Sequence, residues 1–149
     1  MRILLTCGGT AGHINPAIAV AQRLRELSPD CEILFIGAEG KMEMDLVPRD
    51  GFRILPLKVT NLSRGHHLED IGHNLNSLKN VIESVREAKR ILKEFRPDAV
   101  LGTGGYVCYP VLHEAAKLHI PTLIHESNAT PGLPTKMLAG QVSCVMLDL

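Results

Sequence analysis

The sequence predicts a doubly wound α/β domain, and three observations carry that prediction. Short β-branched or Leu-rich runs recur along the chain, segments with helical spacing lie between them, and most runs end at a glycine or a polar turn. Strands alternating with helices build βαβ units, and right-handed crossovers join them into a parallel sheet. The runs are Ile3–Thr6, Glu32–Ile36, Arg53–Leu57, Ala99–Leu101, Thr122–His125 and Val142–Leu147. The first helix is predicted to use Asn15 as cap and Pro16 as its first residue, where a missing N–H costs nothing, and to run to about Leu27. A longer helix is marked by Ile71, Leu75, Leu78, Ile82, Val85, Ala88, Leu92 and Phe95, which share one face, and Arg96-Pro97 ends it. The stretch before it, Asn61 to Asp70, contains His66 and His67 and reads as a polar loop. Another helix is predicted to start near Pro110.

No repeat or linker composition divides the chain, so one domain over residues 1–149 is expected. The last run, CVMLDL, reaches Leu149 with no helix after it, the pattern of a domain cut at its final strand. The chain has 149 residues, 45% of them apolar, which is enough for a core without metal or disulfides. Its 16 basic residues balance 16 acidic ones, giving no basic excess for neutralising phosphates, so a nucleic-acid partner is not expected. The apolar runs fall far short of the roughly 20 residues that cross a bilayer, and MRILLTCGG lacks the pattern of a signal peptide. Cys7, Cys31, Cys108 and Cys144 form no C-x-x-C pair and are expected to be free, mostly buried thiols. His66, His67, His73, His113 and His119 show no metal-ligand spacing, and no metal or other cofactor is expected.

Three loops carry candidate chemistry. Gly8-Gly9-Thr10-Ala11-Gly12-His13 follows the first strand and opens a helix; glycines admit a close ligand, and the helix N-terminus supplies free N–H groups for a phosphate. Gly102-Thr103-Gly104-Gly105-Tyr106 repeats that logic after the fourth strand. The two loops flank the reversal point of a 3-2-1-4-5-6 sheet, where a crevice opens. Tyr106 is read either as a ligand contact or as a ring packed under a helix. The third loop, His125-Glu126-Ser127-Asn128, leaves the fifth strand; Glu126 and Asn128 are candidate ligand contacts, and His125 is read equally as a core histidine. A dinucleotide fingerprint fits poorly, because Cys7 stands at its first glycine and Glu39 lies two residues past Gly37, where the second strand's acid would sit. The long helix carries Lys79, Arg86, Lys89, Arg90, Lys93 and Arg96 against Glu83, Glu87 and Glu94, with Val81 and Ile91 off the apolar stripe. That face is either a basic-apolar contact with anionic lipid, with Lys79, Val81, Arg86, Lys89 and Arg90 as candidates, or a solvated face laced with ion pairs.

Taken as a set, GGTAGHINPA, LGTGGYVCYP and IPTLIHESNATPG, with MEMDLVPRDGF and FRPDAVLGTGGY, resemble the N-terminal half of the MurG family of bacterial N-acetylglucosaminyltransferases. The resemblance covers essentially the whole chain. It implies a Rossmann-like half of a two-domain, GT-B type enzyme at the cytoplasmic face of the plasma membrane, metal-independent and inverting. Such an enzyme moves GlcNAc from UDP-GlcNAc to lipid I, giving lipid II for peptidoglycan synthesis. By the same resemblance Gly9, Thr10, Ala11 and Asn128 reach the donor sugar and phosphate, His13 is the candidate general base, and Gly12, Gly104, Gly105, Tyr106 and Glu126 line the cleft. An imidazole, which titrates near neutrality, suits deprotonation of an acceptor hydroxyl. Ala11, Ser127 and Cys108-Tyr109 depart from frequent family residues, and Tyr109 puts a ring where a small residue is common. The donor-binding domain is expected to lie outside this chain, leaving it inactive alone. Two other readings stand beside this one: a membrane-docking subunit of a split glycosyltransferase, and a nucleotide- or NAD-dependent enzyme.

Overall fold

The structure, a computed structural model, describes residues 1–59 and 71–148. The loop expected over Asn61 to Asp70, with His66 and His67, lies outside the described residues. Six strands form one parallel sheet: β1 (Arg2–Thr6), β2 (Glu32–Ala38), β3 (Arg53–Leu57), β4 (Ala99–Gly102), β5 (Thr122–Glu126) and β6 (Cys144–Leu147). Their order, β3-β2-β1-β4-β5-β6, is the doubly wound order that the alternation of runs predicts. The chain reverses direction of travel between β1 and β4, and the loops after those strands are therefore neighbours.

Strand period places successive residues on opposite faces. In β1, Leu4 joins the core under α3 (Ile71–Phe95), α4 (Cys108–Lys117) and α5 (Leu133–Leu138), and Leu5 joins the core under α1 (Ala11–Leu27) and α2 (Glu43–Arg49). Leu4 pairs laterally with Leu34 and Val100, so each core runs across strands as a continuous apolar layer. Phe35 is fully buried on the α1 side and meets Phe52 with ring centroids 5.5 Å apart. Cys7 and Cys108 are buried, Cys31 is half-buried and Cys144 exposed; all four are free.

Three elements differ from the expectation. The first helix starts at Ala11, not Pro16, because Thr10 takes an extended cap conformation and its carbonyl accepts the N–H groups of His13 (3.0 Å) and Ile14 (3.1 Å). Ala11, Gly12 and His13 are thus its first turn, and Pro16 sits inside the helix. The fourth helix likewise starts at Cys108, which makes Pro110 its third residue, still within the turn where proline is tolerated. Ile91 is buried in the core, not off the apolar stripe, because α3 packs on both the sheet and α4 and buries a wider arc.

Phe35→Ala is expected to lower the unfolding free energy by about 3–5 kcal/mol in a urea titration, the usual cost of a buried phenyl ring. A loss under about 1 kcal/mol would contradict a Phe35 ring packed at the centre of this layer.

Candidate active site

The loops after β1 and β4 are stitched together through their backbones. Gly8 N–H donates to Gly104 O at 3.1 Å, Thr103 N–H donates to Thr6 O at 3.1 Å, and the Thr103 hydroxyl donates to His13 O at 2.6 Å. Gly104 and Gly105 hold φ of +123° and +94°, which L side chains rarely adopt. Space forbids a side chain there as well: a Cβ on Gly104 would enter the His13 imidazole, and one on Gly105 would overlap Gly8 O. The second loop is therefore the surface against which the His13 ring rests. His13 Nδ1 is buried there with no hydrogen-bond partner, so the opposite edge of the ring is the one available to a ligand.

Beneath the first loop lies Glu43, fully buried at the start of α2. Its Oε1 accepts Ala38 N–H at 2.8 Å and its Oε2 accepts Gly9 N–H at 3.2 Å, tying the end of β2 to the loop after β1. Gly8 and Gly37 leave the room it occupies; a Cβ on Gly37 would come 2.5 Å from Glu43 Cγ.

At the end of β5, Glu126 is 4% exposed and accepts four hydrogen bonds: Asn128 N–H (3.0 Å), Asn128 Nδ2 (2.7 Å), Gly132 N–H (2.8 Å) and the Thr135 hydroxyl (2.7 Å). Burial alone would raise its pKa, but these bonds, led by Thr135, outweigh it and hold the carboxyl down at about 2. Both oxygens are committed to shaping the 128–135 turn, so Glu126 positions Asn128 instead of offering itself freely to a ligand. Burial pushes the Cys108 thiol up to about 12 and raises that of Cys7 further, which keeps both protonated.

Two cavities meet at His13. One, of about 270 Å³, is lined by Gly8, Gly9, Thr10, Lys41 and Tyr106 among others; the second, of about 200 Å³, by Gly104, Glu126, Asn128, Gly132 and Thr135. His13, Gly105 and Tyr106 border both. Tyr106 is 38% exposed and also borders an apolar groove of about 390 Å³ lined by Leu78, Val81, Tyr109, Leu133 and Met137. It stands at a junction of three spaces, not packed away under α4.

The structure thus gathers Gly9, Thr10, His13, Gly104, Gly105, Tyr106, Glu126 and Asn128, while Ala11 and Gly12 are exposed in the first turn of α1 and line neither cavity. His125 is half-buried with Nδ1 unpartnered, and so is not a satisfied core histidine; it lines neither cavity. Glu39 faces a separate depression with Pro56, Lys58 and Glu83, away from the glycine loops. Tyr109 stacks on His113 at 5.3 Å and turns into the apolar groove, clear of the glycine-loop cavity. Lys41 and Glu43 are site residues that sequence reasoning missed, and Thr103, named only as part of its loop, proves to hold His13 O.

On α3, Lys79 pairs with Glu83 (3.9 Å), Lys89 with the buried Glu114 (4.0 Å), and Arg90 with Glu87 and Glu94. Arg86 holds no ion pair among the described residues, and Val81 forms part of the groove wall. Three of the six basic residues here, Lys79, Lys89 and Arg90, are thus paired within the protein, and Leu78 (58%) and Ile82 (44%) are exposed beside them.

A parallel sheet with glycine loops meeting over its switch point is an arrangement shared with glycosyltransferases of known structure. The crystal structure of Acinetobacter baumannii MurG superposes with a TM-score of 0.83 at 28% identity, over 98% of this chain and 40% of that one. The Streptomyces glycosyltransferase SsfS6 shares the fold, with a TM-score of 0.66 at 21% identity, over 95% of this chain and 44% of that one. The sequence model of the glycosyltransferase family 28 N-terminal domain matches residues 3–147, and the chain belongs to that family. It is 44% identical over 148 residues to the UDP-N-acetylglucosamine--N-acetylmuramyl-(pentapeptide) pyrophosphoryl-undecaprenol N-acetylglucosamine transferase of Acetivibrio thermocellus. It is 46% identical to the enzyme of the same name from Alkaliphilus oremlandii. In both comparisons the match takes in 99% of this chain and 39% of the relative, so the chain spans about two fifths of these relatives' length.

The Glu126 bonds predict an acid limb of stability. A carboxyl whose folded pKa is depressed stabilises the fold in full above its ordinary value of 4.5 and loses that contribution as pH falls towards about 2. Thermal melts should show wild type well above Glu126→Gln at pH 6, with the gap narrowing as pH falls to 2. A gap independent of pH would contradict an ionised Glu126.

Proposed function

We propose that this chain is the acceptor-binding domain of a transferase that moves GlcNAc from UDP-GlcNAc to the C4 hydroxyl of MurNAc in undecaprenyl-diphosphate-linked MurNAc-pentapeptide. The observation that carries the reading is the convergence of three loops, from β1, β4 and β5, on one histidine, in a chain whose relatives bear that enzyme's name. His13 takes the proton of the acceptor hydroxyl as its oxygen attacks the anomeric carbon, and UDP departs from the opposite face, inverting the centre. Negative charge grows on the departing diphosphate, and the first turn of α1 offers N–H groups and the positive end of a 17-residue helix to offset it. Gly104 keeps the imidazole in place, and Asn128, fixed by Glu126, lines the second cavity for the sugar. The donor nucleotide is held chiefly by a second domain, and this chain alone does not turn over.

A polyprenyl-linked acceptor brings the enzyme to the cytoplasmic face of the plasma membrane as a peripheral protein. Among the described residues no helix is long and apolar enough to cross a membrane. The exposed Leu78 and Ile82, beside the apolar groove and Arg86, support docking on an anionic surface in which apolar contact outweighs charge.

The decisive assay is GlcNAc transfer to a lipid I analogue by this chain alone, with a family C-terminal half added, and joined to it. Activity only with both halves is the expected result; absence of acceptor binding by the chain in every format would contradict the reading. In the joined protein His13→Ala should lower kcat on the order of 10² to 10⁴-fold, and near-normal turnover would remove His13 from the base role. Leu78→Glu with Ile82→Glu should weaken co-sedimentation with vesicles containing anionic lipid by about tenfold or more, and unchanged binding would place the docking face elsewhere.

A further inference from the structure

The glycine-loop cavity sets an electrostatic problem. An anion over Gly8–Thr10 meets free N–H groups at the start of α1, but Gly9 N–H already donates to Glu43 Oε2 at 3.2 Å. The Glu43 carboxylate lies directly under the loop, fully buried, with both oxygens held by backbone N–H groups and no cation in ion-pairing range among the described residues. A ligand phosphate would therefore sit over a negative charge separated from it by one layer of backbone, where water screens little.

One lysine and no arginine line this cavity among the described residues, and the lysine is Lys41. It belongs to the same turn as Glu43. Lys41 N–H donates to Ala38 O at 3.2 Å and its carbonyl accepts Met44 N–H at 3.0 Å, while Ala38 N–H is held by Glu43 itself. The carboxylate that fixes the glycine loop thus also fixes the backbone from which Lys41 reaches the cavity. Lys41 has no carboxylate in ion-pairing range among the described residues, in contrast to Lys79, Lys89 and Arg90 on α3.

We propose that Lys41 is a substrate-binding residue whose ammonium contacts a diphosphate lying across Gly8–Thr10 and offsets the Glu43 charge beneath it. The proposal rests on reading the glycine loops as diphosphate sites. The diphosphate belongs either to the polyprenyl acceptor or to the nucleotide donor, and both present the same chemistry to an ammonium.

The test is titration of the ¹⁵N-labelled chain with inorganic pyrophosphate, then with farnesyl diphosphate and with UDP, following the amides of residues 8–13. Pyrophosphate should shift those amides in wild type, Lys41→Ala should weaken its binding about tenfold or more, and Lys41→Arg should recover most of the loss. Lys41 is exposed, so these variants keep the fold, which their unchanged spectra elsewhere would record. Lys41 dependence with farnesyl diphosphate but not UDP assigns the contact to the acceptor, and the reverse assigns it to the donor. Equal pyrophosphate affinity in wild type and Lys41→Ala overturns the Lys41 contact and leaves the loop reading standing. No shift of the loop amides in wild type at millimolar pyrophosphate overturns the loop reading and the Lys41 contact together.

Discussion

Where the loops after β1 and β4 meet, two backbones approach so closely that Gly105 has no room for a Cβ against Gly8 O, and the rest of the site is arranged around that approach. Gly105 lies on Gly8 O, Gly104 lies under the His13 ring, and the Thr103 hydroxyl holds His13 O at 2.6 Å. The sheet order makes the meeting possible, because only β1 and β4 are neighbours whose connections leave in opposite directions. The position of one imidazole thus follows from a topological reversal, two left-handed glycines and a threonine, with no help from a partner on its own Nδ1.

Three buried carboxylates, two of them beside the site, are stabilised in different ways. Glu43 is held by two backbone N–H groups from two strand ends, Glu126 by four donors within its own turn, and Glu114 on α4 by the lysines Lys89 and Lys117. The first two use uncharged donors, which satisfy the carboxylate oxygens and fix a loop at once. Glu114 lies away from both cavities and uses cations instead.

The fold is legible in the sequence because its signals are local and redundant: six apolar runs, each followed by a turn, spaced for crossovers. The glycine loops are legible for the same reason, since glycines clustered directly after a strand serve a close approach of backbone or ligand. Helix starts are less so. Asn15-Pro16 has the chemistry of a start, yet Thr10 wins, because the glycines before it let the chain turn into the helix at once. Ile91 escapes a single-face reading, which assumes one packing partner, whereas α3 has two. Glu126 resembles a free ligand contact in the sequence because its bond to Thr135, nine residues on, depends on where α5 begins. Lys41 and Glu43 stay hidden because their roles exist only once β2 is laid beside β1, and nothing within their own segment announces a loop 34 residues earlier in the chain.

Cys108 lies with its sulfur 3.3 Å from Thr6 O and 3.1 Å from Gly104 O, a thiol wedged at the junction of the two loops. A fully buried, protonated thiol does not react with alkylating reagents, and it gains access to them only when the loops separate. At reagent concentrations where alkylation outpaces reclosing, the rate at which Cys108 is trapped is the opening rate of the junction itself; at lower concentrations it reports the population of the open form.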